Sequence, residues 1–234
     1  MNRFCQISIL QAGMSIAIVY TIPDILTEPG SEHQQISTDE VIIMNNAQTK
    51  PAVEVNGLNI DQLFQTLDAI KDTPSLANFE FRAKNQWING GENRSTIRDF
   101  YGAGAEDESR KQAFEFTNGE PPVLLGNNEG ANPVEYLLHA LAGCVTTTTV
   151  LHAAARGIRI QELSTELVGT MDLQGLLALD DSVPVGYEQI RIRMHIKADC
   201  SDEELDDLLK FAEQHSPVCN TVCKPVPVIL ERAV

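Results

Sequence analysis

Asn132-Pro-Val-Glu-Tyr-Leu-Leu-His-Ala-Leu-Ala-Gly-Cys144-Val-Thr-Thr-Thr-Thr149 is the stretch around which the rest of the chain must be arranged. Asn132 is a good helix N-cap, Pro133 suits the first helical position, and Glu135 stands where a capping box puts its acid. The apolar run continues to Ala155, and Gly157 supplies a stop signal. The spacing predicts a helix of roughly 23 residues, about 35 Å long. It is apolar nearly all round, which predicts burial on every side. Ala140, Ala142 and Gly143 remove bulk around Cys144, and a glycine inside a helix costs about 1 kcal/mol relative to alanine. A close approach there, by another helix or by a ligand, is therefore expected. The four threonines 146–149 are poor helix formers whose hydroxyls are expected to bond back to helix carbonyls.

Outward from this helix the chain punctuates cleanly. Upstream, Ile60, Leu63, Phe64, Leu67 and Ile70 recur at helical spacing and are closed by Asp72-Thr-Pro74. Phe79 to Trp87 alternates and turns at Gly90-Gly91. Ser95 to Tyr101 reads as the returning strand of a hairpin, Ala113 to Thr117 as a further strand, and residues 119–130 as a turn-rich loop. Downstream, Ile160 to Gly169 and Gln189 to Ala198 read as strands. In the second, Ile190, Ile192, Met194 and Ile196 alternate with Arg191, Arg193, His195 and Lys197, so one face is apolar and the other basic. Ser201-Asp-Glu-Glu204 is another capping box, opening a helix with Leu205, Leu208, Leu209 and Ala212 inside. Pro217 interrupts it, a short helical piece carries Cys219 and Cys223, and residues 225–230 are expected to form an edge strand. This order of elements argues for an α+β fold, mostly antiparallel strands around one long buried central helix.

The 234 residues carry 33 Asp and Glu against 17 Lys and Arg, a formal net charge of −16. That balance repels phosphate backbones and anionic lipid, so neither nucleic acid nor membrane is expected as a partner. No stretch is expected to supply the roughly 18 apolar residues of a membrane span. Five cysteines, an odd number at irregular spacing, argue against a secreted disulfide framework and for a reducing, cytoplasmic location. Residues 1–52 read as a peripheral extension, poorly ordered, because 21–40 mixes Pro, Gly, Ser and acids without period. Within it Met44 is a candidate native start. The domain proper is expected over 53–234.

Cys144 on its helix and the distant Ser216-Pro-Val-Cys219-Asn-Thr-Val-Cys223 suggest a two-cysteine redox centre. Two other constellations fail on geometry. His215, Cys219 and Cys223 would span about 12 Å on a regular helix, beyond the reach of one metal ion, and Cys144 and His152 are separated by a similar distance. With no P-loop or dinucleotide fingerprint either, no cofactor or metal is expected.

An Asn-Pro, a twelve-residue step to a cysteine on a small-residue helix, and a distant Ser-Pro-Val-Cys-Asn-Thr together resemble the OsmC/Ohr family of osmotically inducible and organic hydroperoxide resistance proteins. The resemblance covers roughly residues 53–234. It implies an OsmC-like fold and an intertwined homodimer with active sites at the interface. It also implies a thiol peroxidase acting in oxidative stress defence, with an organic hydroperoxide as substrate and a dithiol as reductant. Cys144 matches the peroxidatic position. Family peroxidases carry the resolving cysteine in Cys-Pro-x-Ser-Asn; here serine and cysteine are exchanged, and Cys219, about 4.5 Å further along a helix, is the candidate resolver with Cys223 as alternative. The family's catalytic arginine lies near a Gly-Gly hairpin, which makes Arg94 or Arg98 the candidate for stabilising the thiolate. Its glutamate after Asn-Pro is replaced by Val134, and Glu135 lies on the helix face opposite Cys144, as a capping residue. The competing expectation is a non-catalytic OsmC-like dimer that binds a small hydrophobic ligand at its interface.

Overall fold

Capping and alternation determine where the elements begin and end in the computed structural model of this chain, which describes residues 7–11, 16–20, 53–224 and 226–233. Two units separate between Thr49 and Lys50. In the first, strands β1 (Ile7–Gln11) and β2 (Ile16–Tyr20) pair antiparallel. The candidate start at Met44 and the aperiodic segment 21–40 lie outside the described residues.

The second unit opens with two short strands, β3 (Glu54–Val55) and β4 (Leu58–Asn59), joined through Asn56-Gly57, both with positive φ. Asn56 anchors this turn far along the chain. Its Nδ2 donates to Ile158 O and its Oδ1 accepts from Ile160 N, each at 2.9 Å. Helix α1 (Ile60–Asp72) follows on an Asn59 cap. Strands β5 (Glu80–Phe81), β6 (Lys84–Asn89), β7 (Glu92–Ile97), β8 (Phe100–Gly102), β9 (Ala105–Asp107) and β10 (Phe114–Asn118) form two three-stranded antiparallel sheets, ordered β10-β7-β6 and β5-β8-β9. The return strand of the hairpin thus begins at Glu92, right after the Gly90-Gly91 turn, rather than at Ser95. Phe100 and Tyr101 leave it to pair with β5.

Helix α2 (Pro133–Ala155) has the expected 23 residues. Its capping box is complete: Asn132 N donates to Glu135 Oε2 at 2.8 Å, and Asn132 Oδ1 accepts from Val134 N at 3.0 Å. Strands β11 (Ile160–Thr170) and β12 (Gln189–Ala198) form a long antiparallel pair bridged by a one-turn helix α3 (Leu173–Leu176) and a loop. Helices α4 (Asp202–His215) and α5 (Pro217–Cys223) complete the unit. The alternation read in β12 holds residue by residue: Ile190, Ile192, Met194 and Ile196 are half-buried while Arg191, Arg193, His195 and Lys197 are exposed.

Three expectations are corrected. Helix α2 is not buried all round. It packs on α1, β11, α4 and α5, and only the stripe Leu141, Val145, Thr148, Thr149, Ala153 and Ala154 is buried, because those elements cover one side. Leu137 and Leu151 remain exposed, and a Cβ on Gly143 would meet nothing within 4 Å among the described residues of this chain. Secondly, α2 is by length and composition a helix that could cross a membrane, and it packs by one side against four elements of the unit. Thirdly, the described residues 226–230 form no strand. Val228, Ile229 and Leu230 stand exposed, and with Pro227 among them the segment lacks a backbone donor.

Candidate active site

The site is assembled by α2 and the α4–α5 corner. Cys144 lies one turn after Leu141 and next to Val145, both buried, so its own side chain emerges half-exposed at the edge of the buried stripe. The corner is fixed by Asn220, whose Nδ2 donates to Gln214 O at 2.8 Å and Ser216 O at 3.0 Å. It carries Ser216, fully buried, onto the sulfur. Ser216 Oγ donates to Cys144 Sγ at 3.2 Å, and Val218 N reaches the same sulfur at 3.5 Å. The serine oxygen also accepts from Cys219 N at 3.4 Å, as the N-cap of α5. One hydroxyl therefore links the Cys144 sulfur to the backbone of the neighbouring cysteine. Two donors, a side-chain hydroxyl and a backbone N–H, are thus directed at one sulfur.

Cys219 is buried in a cluster with Leu141 and Val145, the residues that flank Cys144. Burial pushes its thiol up to about 11, with the Cys223 contact adding to the shift. Its Sγ lies 4.0 Å from Cys223 Sγ, and Cys223 is exposed. Beside this group opens a cavity of about 600 Å³, lined by Leu141, Val145, Ile190, Ile192, Met194, Leu209 and Val222, with Tyr187, Glu213, Cys219 and Cys223 among its polar groups.

Arg94 and Arg98 lie elsewhere in the unit. Arg94 is exposed on β7, opposite Gln86 and Thr117, and its side chain forms no hydrogen bond or ion pair among the described residues. Arg98 is exposed beyond the end of β7. Its Nε donates to Arg110 O at 3.3 Å and lies 3.4 Å from Asp99 Oδ1. Neither arginine bonds to Cys144 among the described residues. His215 stacks on Phe211 at 3.8 Å between ring centroids and its Nδ1 lies 2.8 Å from Phe211 O. His152 meets Phe211 edge-on at 4.7 Å, and desolvation lowers its pKa. Cys200 is half-buried against a second core cluster of Ala153, Ile158 and Leu208. Thr147 and Thr149 do bond back to the helix, to Cys144 O at 3.1 Å and Val145 O at 2.9 Å.

Two residues stand out that the sequence did not single out. Ser216 holds the position at which the resembled peroxidases have their resolving cysteine, and it contacts the helix cysteine directly. Its presence in the quoted Ser-Pro-Val-Cys motif was the available signal. Glu120, on the loop after β10, accepts from Asn132 Nδ2 at 2.5 Å and packs where a side chain on Gly91 would go. It brings the Gly-Gly hairpin to the N-terminus of α2, and no local pattern marks it.

Residues 126–231 match a family model described as OsmC-like protein. No curated protein matches the sequence. Among solved structures, the chain is similar to an OsmC-like protein from Mycoplasma pneumoniae at 19% identity, covering 62% of this chain and 87% of that one, with a TM-score of 0.48. It is also similar to an organic hydroperoxide resistance protein OsmC from Legionella pneumophila (17% identity, 61% and 88% covered, TM-score 0.44). A third is an organic hydroperoxide resistance protein from Elizabethkingia anophelis (17% identity, 61% and 89% covered, TM-score 0.42).

Proposed function

We propose that the protein is a cytoplasmic, thiol-dependent peroxidase that reduces organic hydroperoxides, a reading that starts from the match of residues 126–231 to an OsmC-like family model. The observation that carries this reading is the half-exposed Cys144 sulfur with Ser216 Oγ and Val218 N both directed at it, beside the buried thiol of Cys219. The Cys144 thiolate attacks the distal peroxide oxygen; the O–O bond breaks, the alcohol leaves and a sulfenic acid remains. Cys219 condenses with the sulfenic acid, releasing water and forming a disulfide, and an external dithiol restores both thiols. Condensation requires the two Cα atoms within about 7 Å. Of the two arginines, Arg94 is the better candidate to complete the site, because Arg98 is already engaged by Asp99 and Arg110. The working form is a homodimer. The exposed Leu137 and Leu151 and the open space at Gly143 support a second copy against the bare side of α2.

Stopped-flow oxidation of Cys144 by cumene hydroperoxide, with mass spectrometry of the product, tests the proposal. The expected result is a rate orders of magnitude above that of free cysteine and loss of that phase in Cys144→Ser. A free-thiol rate overturns it. The cavity supports a second reading, a non-catalytic dimer that binds a small hydrophobic molecule, since its wall is mostly aliphatic and wide enough for one. Saturable binding of an apolar fluorophore with no hydroperoxide reaction at Cys144 selects that reading.

A further inference from the structure

Cys223 has no task in the chemistry above, yet its sulfur lies 4.0 Å from that of Cys219. The two cysteines are four apart on α5, so they project from the same face. On an ideal helix their Cα atoms stand about 6 Å apart, inside the roughly 4.4–6.8 Å range of disulfides. Their surroundings differ sharply. Cys219 is 8% exposed, within the Leu141–Val145 cluster, whereas Cys223 is open to solvent at the end of the helix. An external dithiol can therefore reach one sulfur of this pair far more readily than the other.

The Cys144 side completes the asymmetry. Its sulfur receives Ser216 Oγ and Val218 N, whereas Cys219 Sγ has the Cys223 thiol as its hydrogen-bonding neighbour. In thiol–disulfide exchange the better stabilised thiolate is the better leaving group. A thiolate that attacks Cys219 within a Cys144–Cys219 disulfide thus expels the sulfur that is already solvated by two protein donors.

We infer that Cys223 is an exchange cysteine, which takes the disulfide over from Cys144–Cys219 and presents it at the surface as Cys219–Cys223. The inference rests on the peroxidase reading above. The Cys223 thiolate attacks Cys219 Sγ, the Cys144–Cys219 bond breaks as the Cys219–Cys223 bond forms, and Cys144 leaves as the thiolate. The proton that Cys223 gives up balances the charge, and no net oxidation occurs in this step. An external dithiol then attacks at Cys223. It becomes a disulfide itself and returns Cys219 and Cys223 to thiols, its two electrons being those consumed by the hydroperoxide. Exchange also frees Cys144 for another peroxide before the reductant arrives.

Rapid acid quench after one equivalent of cumene hydroperoxide, followed by alkylation and peptide mapping, tests the relay on the full chain. The expected sequence is Cys144–Cys219 first, then Cys219–Cys223 with Cys144 alkylated. In Cys223→Ser the first disulfide should accumulate, and turnover driven by dithiothreitol should fall about tenfold because the remaining disulfide is shielded. A final Cys144–Cys219 or Cys144–Cys223 disulfide in the unsubstituted chain overturns the relay. Equilibration in a dithiothreitol redox buffer without peroxide should also place the disulfide at Cys219–Cys223. If Cys144 ignores the hydroperoxide, the peroxidase reading falls and the transfer from Cys144 falls with it; if Cys144 reacts but the disulfide stays at Cys144–Cys219, the relay alone falls.

Discussion

The half of the second unit built from α2, β11, β12, α4 and α5 encloses its own core, whereas the half built from β5 to β10 encloses almost none. Leu141, Val145, Ala153, Ala154, Ile158, Leu208, Ala212 and Cys219 are all buried, while no apolar side chain between β5 and β10 is. In the sheets Phe79, Phe81 and Phe100 cluster with one another, Arg110 lies over the Phe100 ring, and Phe81 and Trp87 are 72% and 68% exposed. The first half carries Cys144, Cys219 and Cys223, with Ser216 bonded to the Cys144 sulfur. The second carries the candidate arginines on surfaces that this chain alone does not cover. The thiol chemistry is thus anchored by one chain's own packing, and the contribution of the arginines depends on what covers the sheets.

Substitution can break that comparison. Leu208→Ala removes a fully buried side chain and should cost about 2–5 kcal/mol in denaturant unfolding. Phe81→Ala should cost less than about 1 kcal/mol in dilute, monomeric protein, since little of its surface is withdrawn from water. A comparable loss from both at low concentration would show that the sheets have a core of their own. Next in size, Arg94→Ala should lower the rate of Cys144 oxidation about tenfold if, as proposed, it is the cation that completes the site. Arg98→Ala should change it less than about twofold. The reverse order, read from the same stopped-flow traces, would reassign the arginine.

Within the cysteine half, Ser216→Ala removes both the donor to Cys144 and the cap of α5. It should cost about 1 kcal/mol of stability and slow Cys144 oxidation severalfold. Ser216→Thr, which keeps the hydroxyl, should restore the rate more than the stability. The smallest effect concerns Cys219. Its thiol, raised by burial to about 11 from an ordinary 9, binds its proton more tightly when folded than when unfolded. Stability from this group is therefore present below about pH 9 and lost as pH rises through 11. Denaturant midpoints of Cys219→Ser should lack that alkaline decline.

Local signals explain what the sequence made legible. Asn132 to Glu135 and Ser201 to Glu204 are capping boxes whose partners lie within three residues, and β12 alternates strictly, so α2, α4 and β12 follow from short stretches. Strands β8 and β9, with three residues each, are too short to show a period, and α3 has a single turn. The Asn56-Gly57 turn does carry a strong hairpin signal. Cys144 was legible as a position, but its contact with Ser216 joins residues 72 apart and depends on how the α4–α5 corner folds back. The resemblance to OsmC-like proteins drew attention to Ser216-Pro-Val-Cys219, but to its cysteine, whereas the side chain that bonds to the Cys144 sulfur is Ser216. The uncovered side of α2 was legible only as apolarity, which cannot distinguish burial within a chain from burial against another.

Tyr187 adds a consequence for what the cavity admits. Its hydroxyl donates to Val134 O at 2.9 Å, across 53 residues, and its ring occupies the space that any side chain on Gly169 would need. The ring forms part of the cavity wall and continues into Glu188, Gln189 and β12. One aromatic plate, pinned at its tip to the start of the cysteine helix and seated on a glycine, thus forms part of the wall. Gly169→Ala would force that plate to move, and so would reshape the cavity from a residue that does not line it.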